Sequence, residues 1–173
     1  GGRKHCNSCR KVEKVIDKRI IEKAKAEFNG FSEQKYERTF FDNERGGYLV
    51  TEKDRIRFAN KNKQELAKYK KEKNMCLVFG KGGDRNVHLG EQAGISSSDV
   101  LFNGNKADLK RTDSETNIVK YAKYASRHQG AKYVLFQFDK WNAKIANAIK
   151  ELQRMKIHGK FFVTGKESEI KEF

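Results

Sequence analysis

Val12, Val15, Ile16, Ile20, Ala24 and Phe28 recur among charges at a 3.6-residue spacing, which predicts an amphipathic helix over 10–28, ended by Asn29-Gly30. Residues 31–47 are mixed and carry aromatics at Phe31, Tyr36, Phe40 and Phe41, and Gly46-Gly47 is the candidate boundary before a short strand over 48–51. A second helix is expected over 57–73, with Phe58, Ala59, Leu66 and Tyr69 inward under a dense covering of lysines. The continuous apolar run Met75–Phe79 has the length of a strand covered on both faces, and glycine-rich 80–94 reads as a mobile loop. Downstream, Ile118, Val119, Ala122 and Ala125 mark a helix over about 117–127, with cap candidates in 112–116, and Tyr133–Phe138 forms a strand. Ile145, Ala148, Ile149 and Leu152 place a helix within 141–155, Gly159 a turn, and Phe161–Val163 a last strand. Alternation of this kind builds an α/β fold, a mixed central β-sheet flanked by helices, here behind an N-terminal helical segment over 1–46.

Between the loop and the third helix lies SSSDVLFNGNKADLKRT, residues 96–112. Its Asn-Gly is a strong hairpin signal, and it fixes which side chains share a face. With Asn103 and Gly104 as the loop, Asp99 lies across from Asp108; with Gly104 and Asn105, it lies across from Lys110, and Asp108 becomes its diagonal neighbour. In both registers Asp99, Asp108 and Lys110 project together, while Val100, Phe102, Ala107 and Leu109 turn to a core. Two opposed carboxylates roughly 5 Å apart repel by about 3 kcal/mol at an effective dielectric near 20, equivalent to roughly two pKa units. A proton, Lys110 or a divalent cation offsets that repulsion, and two acids with a lysine are the set that a hydrolytic metal site uses. The competing interpretation is a solvated sheet face with a surface ion pair.

Charge favours chemistry on an anion. The 173 residues carry 38 Lys and Arg against 23 Asp and Glu, a net charge of +15, which implies a polyanionic partner: nucleic acid, an acidic membrane surface or an acidic protein. No apolar run approaches the roughly 20 residues of a membrane span, and nothing at the start resembles a signal peptide. Three cysteines do not suggest a disulfide framework. Cys6 and Cys9 form half a zinc site with no second half following. His88, His128 and His158 offer a metal-free route through a 2′-hydroxyl, although none has an obvious partner at a fixed spacing and each reads as a surface or loop histidine.

An acid on a preceding helix, an aspartate opening a hairpin and a D-x-K ending the next strand resemble the PD-(D/E)XK phosphodiesterase pattern, here Glu65, Asp99 and Asp108-Leu109-Lys110. More narrowly, the run from about Gly46 to Thr164, with SSSDVLFNGNKADLKRT, NIVKYAKYASRHQGAKYVLFQF and FFVTG, is similar to the C-terminal nuclease domains of contact-dependent growth inhibition toxins, in particular the tRNA-cleaving branch. Where the fold's pattern has a proline before the first aspartate, this chain has Ser98. The resemblance implies that Asp99, Asp108 and the Leu109 carbonyl hold Mg2+, or another divalent cation such as Mn2+ or Zn2+. Glu65 would complete the shell, with Glu72 on the same helix as the alternative, and Lys110 would orient or deprotonate the attacking water. Arg111, Thr112, Lys120 and Gln129 are the expected nucleic-acid contacts, against cap and surface roles for the same residues.

The expected protein is therefore a metal-dependent endonuclease toxin domain over 47–173. It would act as a monomer on tRNA in the cytoplasm of a target bacterium, be delivered within a larger secreted toxin through 1–46, and be neutralised by an acidic immunity protein. A DNase with the same metal site is one alternative. A histidine-based RNase and a non-catalytic nucleic-acid-binding module are the others, and the module leaves the paired acids unexplained.

Overall fold

A computed structural model describes residues 17–91 and 97–173. The Cys6/Cys9 pair, the first part of the helix expected over 10–28, the last three residues of the expected loop (92–94) and residues 95–96 lie outside the described residues. Among the described residues, eight strands form one mixed sheet in chain order, with helices on both faces, as the alternation of patterns predicts.

The first helix, α1 (Lys18–Asn29), starts where the Asp17 carboxylate accepts the Arg19 N–H and stops at Gly30. Strands β1 (Tyr36–Phe41) and β2 (Tyr48–Glu52) pair antiparallel, so the boundary expected at Gly46-Gly47 falls in a turn between neighbouring strands of one sheet. Phe28 on α1 packs against Phe41 and Tyr48. Short helix α2 (Lys53–Ala59) is followed by α3 (Lys63–Lys81), whose Asn62 cap accepts the Glu65 N–H at 2.8 Å. Met75–Phe79, expected as a strand, is the last part of α3. Met75, Cys76 and Phe79 face the core and Leu77 packs partly buried against it. A run apolar at every position fits a helix enclosed on several sides as well as a strand, and here the turn begun at Asn62 carries through it.

The strand at that place in the sheet is β3 (Arg85–His88), inside the stretch expected as a mobile loop. It runs parallel to β2 and antiparallel to β4 (Val100–Phe102). β4 turns into β5 (Asn105–Arg111) through Asn103-Gly104, both at positive φ, as a tight two-residue hairpin requires. Of the two registers, the structure has the first: Phe102 pairs with Asn105 and Val100 with Ala107. Val100, Phe102, Ala107 and Leu109 pack with Met75, Cys76 and Phe79, so Asp108 and Lys110 take the other face.

Ser114 caps α4 (Glu115–His128), and Asn142 caps α5 (Ala143–Arg154). Both helices lie over Val134, Phe136 and Phe138 of β6 (Tyr133–Phe138), a strand with the bounds its sequence predicts. Gly159, expected at a turn, instead lies within β7 (His158–Val163). A Cβ there would come 1.7 Å from the Val134 carbonyl oxygen, so only glycine permits the approach of β6. The two-residue β8 (Lys171–Glu172) closes the far edge. Among the described residues no helix is long and apolar enough to cross a membrane.

Candidate active site

The hairpin register places Asp99 one step outside the last β4–β5 pair, opposite Asp108. β4 has ended there while β5 runs on, and the freed Leu109 N–H donates to Asp99 Oδ2 at 2.9 Å. In an extended strand a residue's N–H and C=O leave from the same edge, so the Leu109 carbonyl also faces the side that β4 has vacated. Lys110 Nζ stands 3.0 Å from Asp108 Oδ2 but off the hydrogen-bonding direction, which leaves that buried oxygen ion-paired without an aligned donor. The three residues that sequence alternation put on one face therefore do converge.

They line a polar cavity of about 250 Å³ together with Glu72, Arg55, Lys68 and Gln129. Burial pushes the Asp99 carboxyl well above the usual carboxylate range. The Asp108 carboxylate beside it and the more distant Glu72 add to the rise, while the Leu109 N–H opposes it.

Glu65 is not part of this cavity. It sits in the first turn of α3, seven residues and about 10.5 Å along the helix axis before Glu72, and does not line the cavity. The helix acid that reaches the cavity is Glu72, the alternative position. Glu72 is itself held: His88 Nε2 lies 2.8 Å from its Oε1 and Arg55 Nη2 3.1 Å from the same atom. Burial alone would raise the Glu72 pKa, but His88 and Arg55 outweigh it and hold the carboxyl below its ordinary range. His88, expected on a surface or loop, is fully buried in β3 for this reason. For Lys68, one turn before Glu72, burial is outweighed by the charges of Glu72, Glu91 and Asp99, which keep its ammonium protonated to higher pH than usual.

Arg55 and Lys68 were not singled out in the sequence, and His88 was singled out only for a metal-free histidine route, not as a partner of Glu72. They come from α2, α3 and β3, and only the tertiary fold brings them together. Lys68 and Glu72, four apart on a helix, are the one pair that local spacing would have flagged.

The remaining expected contacts divide. Gln129 lines the cavity from the end of α4, and Lys120 lies on the outer surface of that helix. Arg111 instead donates to Asp139 Oδ1 from Nε at 3.1 Å and from Nη2 at 2.7 Å, an arrangement that with Thr164 holds the Asp139 carboxyl below its usual range. Thr112 Oγ1 accepts the Ser114 N–H at the start of α4. Both residues thus tie the end of β5 to its surroundings.

The donor set suits a hard divalent cation. Two carboxylates and a main-chain carbonyl are oxygen ligands of the kind magnesium takes, and Asp108 Oδ2 lacks an aligned hydrogen bond. Among the described residues no three His, Cys, Asp or Glu side chains are grouped to hold an ion by themselves.

Residues 96–170 match the model of a family described as the contact-dependent growth inhibition CdiA C-terminal domain. A solved structure, the CdiA-CT/CdiI toxin and immunity complex from Burkholderia pseudomallei, contains a similar chain at 16% identity and a TM-score of 0.47, over 61% of the present chain and 83% of the other. No curated protein sequence matches.

Proposed function

From the match of residues 96–170 to the contact-dependent growth inhibition CdiA C-terminal domain, we propose that this chain is a toxin domain of that family and a metal-dependent endonuclease acting on RNA, with tRNA as the favoured substrate. The observation that carries the proposal is the Asp99/Asp108 pair, two carboxylates kept together in a polar cavity with Lys110 at hydrogen-bonding distance. A surface ion pair does not require a second acid at its back; a cation site does.

In this reading Asp99, Asp108 and the Leu109 carbonyl hold Mg2+, with Mn2+ as a substitute of the same ligand preference. The ion supplies a more acidic water and charge stabilisation on the scissile phosphate. Lys110 is paired with Asp108 and also lines the cavity, where it would steady the attacking water and the phosphate. Arg55 and His88 hold the Glu72 carboxylate in one orientation at the cavity wall. Lys68 and Gln129 line the same cavity and are placed to meet phosphate oxygens. Delivery into a target cell as part of a larger toxin, action in its cytoplasm, and neutralisation by a cognate immunity protein complete the proposal.

The histidine route has less support. His88 is committed to Glu72, His128 lies on the outside of α4, and His158 opens β7 beside a different pocket. Incubation with total RNA and with plasmid, in magnesium and in EDTA, tests the reading. RNA cleavage abolished by EDTA is expected; cleavage that survives EDTA would point to a histidine mechanism, plasmid nicking to a DNase, and no cleavage of either to a binding module.

A further inference from the structure

The outer face of α4 carries a groove of about 720 Å³, within the size range of ligand pockets. Tyr121 and Tyr124 lie in it 36% and 51% exposed, an unusual placement for large rings on a helix whose Ile118, Ala122 and Ala125 already face the core. The His128 ring stands against Tyr124 with centroids 5.0 Å apart and planes 34° from parallel, so the two form one aromatic platform. Lys120, Lys123 and Arg127 interleave with the rings along the same groove. Its inner end is Lys110, whose Nζ is 5.6 Å from the Tyr121 ring centre while it pairs with Asp108.

We infer that this groove is a stacking site for unpaired nucleotides of the RNA strand that enters the catalytic cavity, with Tyr124 and His128 under the bases and Lys120, Lys123 and Arg127 along the phosphates. The inference rests on the nuclease reading for its substrate and on the groove alone for its location. Rings offer sequence-tolerant stacking to any base, and cations between them track a phosphate chain, the combination that single-strand binding uses. A duplex keeps its base faces covered, so the groove selects unpaired strands. Continuity through Lys110 joins the platform to the acids, so a strand lying across the aspartates continues onto α4. An acidic protein would satisfy the cations yet leave the paired rings without a specific role.

The test uses the cleavage-silent Asp108→Asn protein and a 5′-labelled single-stranded RNA oligonucleotide, with a duplex of the same sequence in parallel, read by fluorescence anisotropy at several salt concentrations. Tyr124→Ala is expected to weaken single-strand binding about tenfold or more, with an unchanged salt slope because no phosphate contact is lost. Tyr124→Phe should bind as the parent does, and Lys123→Ala should reduce the salt slope. The duplex should be nearly insensitive to Tyr124. Single-strand affinity unaltered in Tyr124→Ala, at an unaltered melting temperature, overturns the inference, including the case in which the substitution weakens only an acidic protein partner. The same proteins with Asp108 restored separate the two readings: RNA cleavage with Tyr124-independent binding removes the groove and leaves the nuclease, whereas Tyr124-dependent binding without cleavage removes the nuclease and leaves the groove.

Discussion

Asp99 shows most plainly what the fold tolerates for the sake of its site. Its carboxyl is raised in the folded chain by burial and by Asp108, so between the unfolded value near 4 and the raised folded value the native state holds a proton that the unfolded chain has released. Stability then falls as pH climbs through that interval. The melting temperature of metal-free Asp99→Asn, minus that of the parent, should therefore grow as pH rises above about 4, and magnesium should shrink the difference by stabilising the parent. A difference constant with pH would show that the Asp99 carboxyl is not raised in the folded protein. Asp99, Asp108 and Lys110 were legible in the sequence because a two-residue turn and strict alternation fix their face with purely local rules. Arg55 and His88 were not: one is in a short helix, the other in a strand hidden among glycines, and each gains meaning only from Glu72 across the fold.

Among the elements, α3 departs furthest from its sequence pattern. The lysine-rich first half predicts a helix and the apolar second half a strand, but the helix runs through both because its end is enclosed by the sheet, Phe40 and Ile170. That continuation displaced the expected strand to 85–88, where Asn86, Val87 and His88 were masked by the glycines around them. By contrast α4 and α5 have clear caps and single-face patterns and β6 is a run of little polarity, and their positions were readable within a few residues. Helix geometry also decides between the two acids of α3. Glu72→Gln should lower RNA cleavage about 10- to 100-fold, as expected for a group that orients a metal site without replacing its ligands, whereas Glu65→Gln should stay within about twofold of the parent. Cleavage rates of the two purified variants check this, and loss of activity in Glu65→Gln alone would place the cavity at the other end of the helix.

For the whole molecule, the net charge is +15, and the α4 groove that contributes Lys120, Lys123 and Arg127 to it shares Lys110 with the small acidic centre. If the proposed function holds, a charge of this sign would gather RNA and draw in an acidic immunity protein, so the association rate of such a partner should drop about tenfold or more between low and physiological salt while dissociation changes little. Stopped-flow association at several ionic strengths checks it, and a salt-independent rate would mean that charge does not steer the encounter. The α/β class and mixed sheet were legible from alternation of patterns, but the joining of 36–41 to the sheet was not, because an edge strand with mixed polarity has no distinctive period. The most direct test of the metal-site claim is cleavage and binding of RNA by Asp108→Asn in magnesium: cleavage should vanish while affinity for RNA is retained, and undiminished cleavage would contradict a cation held between Asp99 and Asp108.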